Sequence, residues 1–141
     1  MRRLPMFVAL FALFGCTDSP PDFKLGPTDA NIVGSFNLAY SNGQPLPILA
    51  RLTTAEEWDM TSDQLVIAAD NTWNETSKYT VTTFATGGVS SQQTASSGTY
   101  SIGNNQINFV ITAGGTGGFN GSVNGNTLTL VYNGGHFLYT R

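Results

Sequence analysis

The chain has 141 residues, with six Lys and Arg against nine Asp and Glu for a net charge of −3, and a single Cys and a single His. That is one domain's length, and one cysteine excludes a disulfide framework within the chain. So few cations exclude nucleic acid as a partner and also a polybasic membrane-binding face, both of which need clustered Lys and Arg.

Met1-Arg2-Arg3 opens the sequence, and the apolar run Met6–Phe14 leads into Gly15-Cys16. A charged start, a short apolar stretch and a small residue are the parts of a secretory signal. The run is shorter than the roughly 20 apolar residues that a spanning helix needs. Leu13-Phe14-Gly15-Cys16 resembles the lipobox of bacterial lipoproteins. That resemblance implies a diacylglyceryl group on the Cys16 thiol, cleavage before Cys16, and N-acylation (a palmitate or similar chain) of the new amino terminus. One acyl chain holds a protein only marginally, at about 0.8 kcal/mol per buried methylene, whereas two or three anchor it stably. Thr17 follows the cysteine, where an Asp would imply retention at the inner membrane. The resemblance therefore implies the bacterial envelope, and in a Gram-negative cell the outer membrane facing the periplasm.

Loss of residues 1–15 removes Arg2 and Arg3 and leaves Lys24, Arg51, Lys78 and Arg141 against nine acids, a net charge of −5. Residues 17–31 hold three prolines and three aspartates without periodicity. With Cys16 they read as a lipidated start and a flexible tether reaching about 50 Å, at roughly 3.3 Å per residue. The domain is then 32–141.

From Ile32 the period is two. Phe36, Leu38 and Tyr40 alternate with Ser35, Asn37 and Ala39, Ile107, Phe109 and Ile111 with Asn108, Val110 and Thr112, and Leu128, Leu130 and Tyr132 with Thr127, Thr129 and Val131. Such alternation predicts strands with one buried face. Turn dipeptides separate the runs: Asn42-Gly43, Asp70-Asn71, Asn104-Asn105, Asn124-Gly125 and Gly134-Gly135. Tyr100–Phe109 aligns without gaps on Gly121–Leu130, each reading strand, turn, strand in the same phase. Thr54 and Glu57 form a capping-box spacing that predicts a short helix or ordered loop over 54–58. Ala85–Ser97, rich in Ser, Thr and Gln, reads as a mobile loop. Nine or ten short strands joined by hairpins predict an all-β fold, an antiparallel up-and-down meander closing into a barrel, with a two-sheet β-sandwich as the alternative.

Four short segments resemble the lipocalin-like domains of bacterial lipoproteins. They are Gly34-Ser35-Phe36, Asn42–Pro47, the stretch from Leu65 to Asp70-Asn71-Thr72-Trp73, and Phe137-Leu138-Tyr139-Thr140-Arg141. Phe36 stands where such domains have tryptophan. The Trp-on-Arg stack that closes lipocalin barrels thus becomes Phe36 against Arg141. A fold of this kind does not carry a function with it.

Few residues suggest chemistry. His136 follows Gly134-Gly135 without a nucleophile elbow or partner, so it reads as a surface or packed histidine. Glu56, Glu57, Asp59 and Asp63 surround Trp58 in a spacing that matches no calcium loop. Gly114–Gly118 lacks the Lys and helix of a phosphate loop and reads as a hairpin turn. No catalytic residue and no metal are expected, and no cofactor beyond the lipids on Cys16. The aromatics are the remaining candidates. These rings, with Phe36 and Tyr139, are bulky enough to fill the barrel as a packed core; the alternative is a partly open barrel in which Tyr40, Trp73, Tyr79, Tyr100, Phe109 and Tyr132 line a ligand site. Taken together the chain reads as a lipid-tethered, lipocalin-like, non-enzymatic binding module. Its partners would be the membrane and a small apolar or amphipathic molecule. The alternative is a protein-facing envelope module, an inhibitor or assembly factor, with a filled core and its function in 53–63 and 85–97.

Overall fold

A computed structural model describes residues 32–103 and 106–141. The signal segment, Cys16, the tether and the Asn104-Asn105 turn lie outside the described residues. The described chain forms ten strands: β1 Gly34–Ser41, β2 Gln44–Pro45, β3 Ile48–Leu52, β4 Glu56–Ile67, β5 Thr72–Thr83, β6 Gly88–Gly103, β7 Gln106–Ala113, β8 Gly118–Asn124, β9 Thr127–Tyr132 and β10 Gly135–Thr140. All pairings are antiparallel. From β4 to β10 each strand pairs with the next, β10 pairs with β1, and β1 returns to β4 through Gly34↔Ile67 to Asn37↔Gln64. That last ladder closes an eight-stranded barrel and removes the free edges that a sandwich would leave. Strands β2 and β3 pair outside the closed ring, on β1 and β4. Every described pairing lies within 32–141.

The two aligned decapeptides are equivalent hairpins. Tyr100 pairs with Phe109 and Gly121 with Leu130, first residue to last in each.

Three local expectations are corrected. Residues 54–58 are not helical. The Thr53 hydroxyl accepts from the Ala55 and Glu56 amides at 3.2 and 2.9 Å, and the chain then runs straight into β4. Trp58 pairs with Arg51 on one side and Val81 on the other, so strand neighbours override a local preference worth less than a full helical turn. Residues 88–97 are not a loop either but the first part of β6, paired along β5 from Thr83↔Gly88 to Asn74↔Ser97. Residues 88–95 are exposed, so their alternation carries no hydrophobic signal. The last turn is Asn133-Gly134, both at positive φ (48° and 79°), and Gly135 already belongs to β10.

Inward residues divide the barrel into two ends. One is packed solid. Trp73 and Phe109 are at most 1% exposed, and Phe119 stacks on Phe109 at 4.6 Å while meeting Trp73 edge-on at 5.2 Å. Phe36, Leu65, Ile67, Ile107 and Leu128 complete this core. Arg141 seals the end. Its guanidinium sits 4.9 Å over the Phe36 ring and donates to the carbonyls of Val33 and Gly125 at 3.2 and 3.0 Å. Gly34 is required beside it, since φ is +151° and a Cβ would lie 3.1 Å from Arg141 Nη1.

Candidate ligand-binding site

Towards the other end the barrel is hollow. A cavity of about 330 Å³ opens there. It sits where β4, β5 and β6 outrun the closed ring. β1 holds only Gln64–Ile67 of β4, and β7 only Ser97–Gly103 of β6, so the outer parts of these strands, with β3, form an extension beyond the barrel wall.

Strand alternation places each lining group. On β5 the phase of Trp73 continues through Glu75, Ser77 and Tyr79, so two polar residues follow the core tryptophan into the interior. On β4 the phase of Ile67 and Leu65 reaches Asp63. A bulge between Met60 and Ser62 then keeps Met60 inward as well. β6 adds Thr94 and Ser96, and β10 adds Phe137 and Tyr139. The apolar wall is Met60, Ile111, Phe119 and Leu130, with Tyr79 and Tyr132 at the rim.

The polar groups converge on one spot. Tyr139 Oη lies 3.2 Å from Asp63 Oδ2 and 3.4 Å from Glu75 Oε1, and the Ser96 hydroxyl donates to Glu75 Oε2 at 2.6 Å. Asp63 is 5% exposed, and its Oδ1 is buried with no hydrogen-bond partner. Burial, followed by the nearby Glu75 charge, pushes the Asp63 carboxyl up to about 7, only partly offset by the hydroxyls of Tyr139 and Ser77. Burial and the same two carboxylates push the Tyr139 phenol far above its usual value, so it remains a donor. Among the described residues no Lys, Arg or His lines the cavity.

Of the residues expected at a ligand site, Tyr79 and Tyr132 line the cavity. Trp73, Tyr100 and Phe109 lie beneath it in the packed core. There Trp73 Nε1 donates to the Thr99 carbonyl at 3.0 Å and the Tyr100 hydroxyl to the Ala68 carbonyl at 2.9 Å. Tyr40 is 45% exposed and lines no part of the cavity. The register shifts between Leu38 and Tyr40, so Ser41 is buried in its place. A one-residue shift turns every later side chain to the other face.

The acidic cluster divides. Asp63 turns inward, while Glu56 accepts from Trp58 Nε1 at 3.0 Å on the extension, where Arg51 lies 5.6 Å from the Trp58 ring centre. Among the described residues no group of His, Cys, Asp and Glu is placed to hold a metal ion. His136 is exposed on β10. The carboxylates at the centre of the site were not among the expected lining residues. A signal for them exists: Asp63 shares the buried phase of Leu65 and Ile67, and Glu75 that of Trp73 and Tyr79.

Compared with protein-family models, with curated proteins and with solved structures, the chain matches none.

Proposed function

We propose that the protein is a lipid-tethered binding module of the bacterial envelope that takes a small amphipathic molecule into its barrel and makes or breaks no bond in it. The observation that carries this reading is the cavity. At about 330 Å³ it falls at the small end of the roughly 300–1,000 Å³ usual for ligand sites, with an apolar wall and a few convergent polar groups. A protein-facing module with a filled core fits the hollow end less well. The lipid anchor and the outer-membrane location rest on the resemblance of Leu13–Cys16 to a lipobox, and the lipocalin-like character rests on the short segments quoted above.

Residues 32–141 contain all the described pairings and the core, so this segment serves as the test protein. Trp58 reports on the site, because its ring meets Tyr79 of the rim edge-on at 5.7 Å. Titration with a short-chain amphiphile should give a saturable change in Trp58 emission while Trp73, buried below, stays constant. Absence of saturable binding by any amphiphile removes the reading. Stoichiometric recovery of an envelope protein on the same domain, without bound small molecule, would favour the protein-facing alternative. For the anchor, Cys16→Ser in the full chain should move the protein from the membrane to the soluble fraction.

A further inference from the structure

The hollow end of the barrel is acidic at its floor and apolar on its wall, and the floor is short of donors. Asp63 and Glu75 present four carboxylate oxygens. Within hydrogen-bond distance they are met by the hydroxyl of Ser96 on Glu75 and by that of Tyr139 between the two, and the Ser77 hydroxyl also acts on Asp63. A phenol has one proton, so Tyr139 serves Asp63 or Glu75 but not both at once. Asp63 Oδ1 has no donor at all, although buried acceptors are as a rule satisfied. Among the described residues the lining contains no cation to supply the missing donors or to balance the charge.

We infer that Asp63, Glu75 and Tyr139 form a subsite for the protonated amine of a small amphipathic ligand whose apolar body lies against Met60, Ile111 and Phe119. An alkylammonium group brings three N–H donors and a positive charge to a place that lacks both. A divalent metal fits less well: two carboxylates fall short of the six to eight oxygens that calcium takes. A fatty acid would set a third carboxylate against two. The inference rests on the proposed binding role and narrows it to one ligand class.

The test compares three probes of equal chain length, octylammonium, octanol and octanoate, titrated calorimetrically into residues 32–141 at pH 7.5. Octylammonium should bind at least tenfold more tightly than octanol, and octanoate most weakly. In Asp63→Asn and Glu75→Gln the amine's advantage over octanol should shrink to about threefold or less, with the near-ultraviolet circular dichroism of each variant showing that the barrel is intact. The ranking in the unaltered protein decides the matter even if a variant fails to fold. Equal binding of octanol and octylammonium, preference for octanoate, or an amine preference unchanged in both variants overturns the amine subsite and leaves the binding module standing. If none of the probes binds, the binding role itself fails and the subsite with it.

Discussion

Tyr139 of β10 and Asp63 of β4 meet inside the barrel at 3.2 Å, although 76 residues separate them in the chain. They belong to strands that do not pair with each other; β1 lies between them. The contact therefore exists only once the ring has closed, and it ties the polar floor of the cavity to the closure of the fold.

The pH dependence of stability should carry the mark of Asp63. Its carboxyl is pushed up to about 7 from an ordinary 3.8, so between those values the native state holds a proton that the unfolded chain has lost. The stabilisation is fully present below about pH 4 and is lost as pH rises through about 7, with a slope of at most about 1.4 kcal/mol per pH unit. Asp63→Asn should flatten this dependence and make the protein more stable than the unaltered chain at pH 8. Urea denaturation of both at pH 4.5, 6, 7 and 8 measures the difference.

Removing the donor should act in the opposite sense. Tyr139→Phe keeps the ring and takes away the hydroxyl that meets both carboxylates. The cost expected for buried acceptors left without a donor is about 1–3 kcal/mol. Because that hydroxyl holds the Asp63 carboxyl down, the variant should also displace the fall in stability to higher pH. The same urea series shows both effects, and an unshifted midpoint would detach Tyr139 from Asp63.

Amine affinity should rise with pH. The titratable groups that face Asp63 are Glu75 from β5 and Tyr139 from β10, and Tyr139 does not ionise in the working range. Binding an ammonium to a protonated Asp63 must expel its proton. Octylammonium should therefore bind several-fold more tightly at pH 8 than at pH 6, with proton release at pH 6 visible as a dependence of the heat on buffer. Asp63→Asn should abolish that release.

At the packed end, Gly34→Ala should destabilise by about 1–3 kcal/mol, because φ is +151° and the new methyl meets Arg141 Nη1. Gly43→Ala is the control: φ is +78° but nothing lies within 4 Å, so only backbone strain is felt. Combining Gly34→Ala with Arg141→Ala separates the two terms, since the contact part of the cost should vanish when the guanidinium is absent.

The barrel was legible in the sequence because Phe36–Tyr40, Ile107–Ile111 and Leu128–Tyr132 carry an apolar residue at every second place and Asn- and Gly-rich turns separate the runs. Phe36 against Arg141 was legible through the lipocalin resemblance. What escaped did so for local reasons. One bulge took Tyr40 out of the phase of Leu38. Residues 88–95 of β6 are exposed and almost wholly polar, with no apolar alternation of their own, so residues 85–97 looked like a loop. Asp63 was grouped with Glu56 and Asp59 by nearness in sequence, whereas its strand phase belongs with Leu65. The partners of Asp63 come from two other strands, and such meetings across a ring leave no trace in spacing.

Ile32, packed into the core, enters the barrel at the end plugged by Phe36 and Arg141. The cavity opens at the opposite end. With the proposed flexible tether of about 50 Å between the anchor at Cys16 and Ile32, neither end would be held against the bilayer, and the mouth would exchange its cargo with the surrounding water.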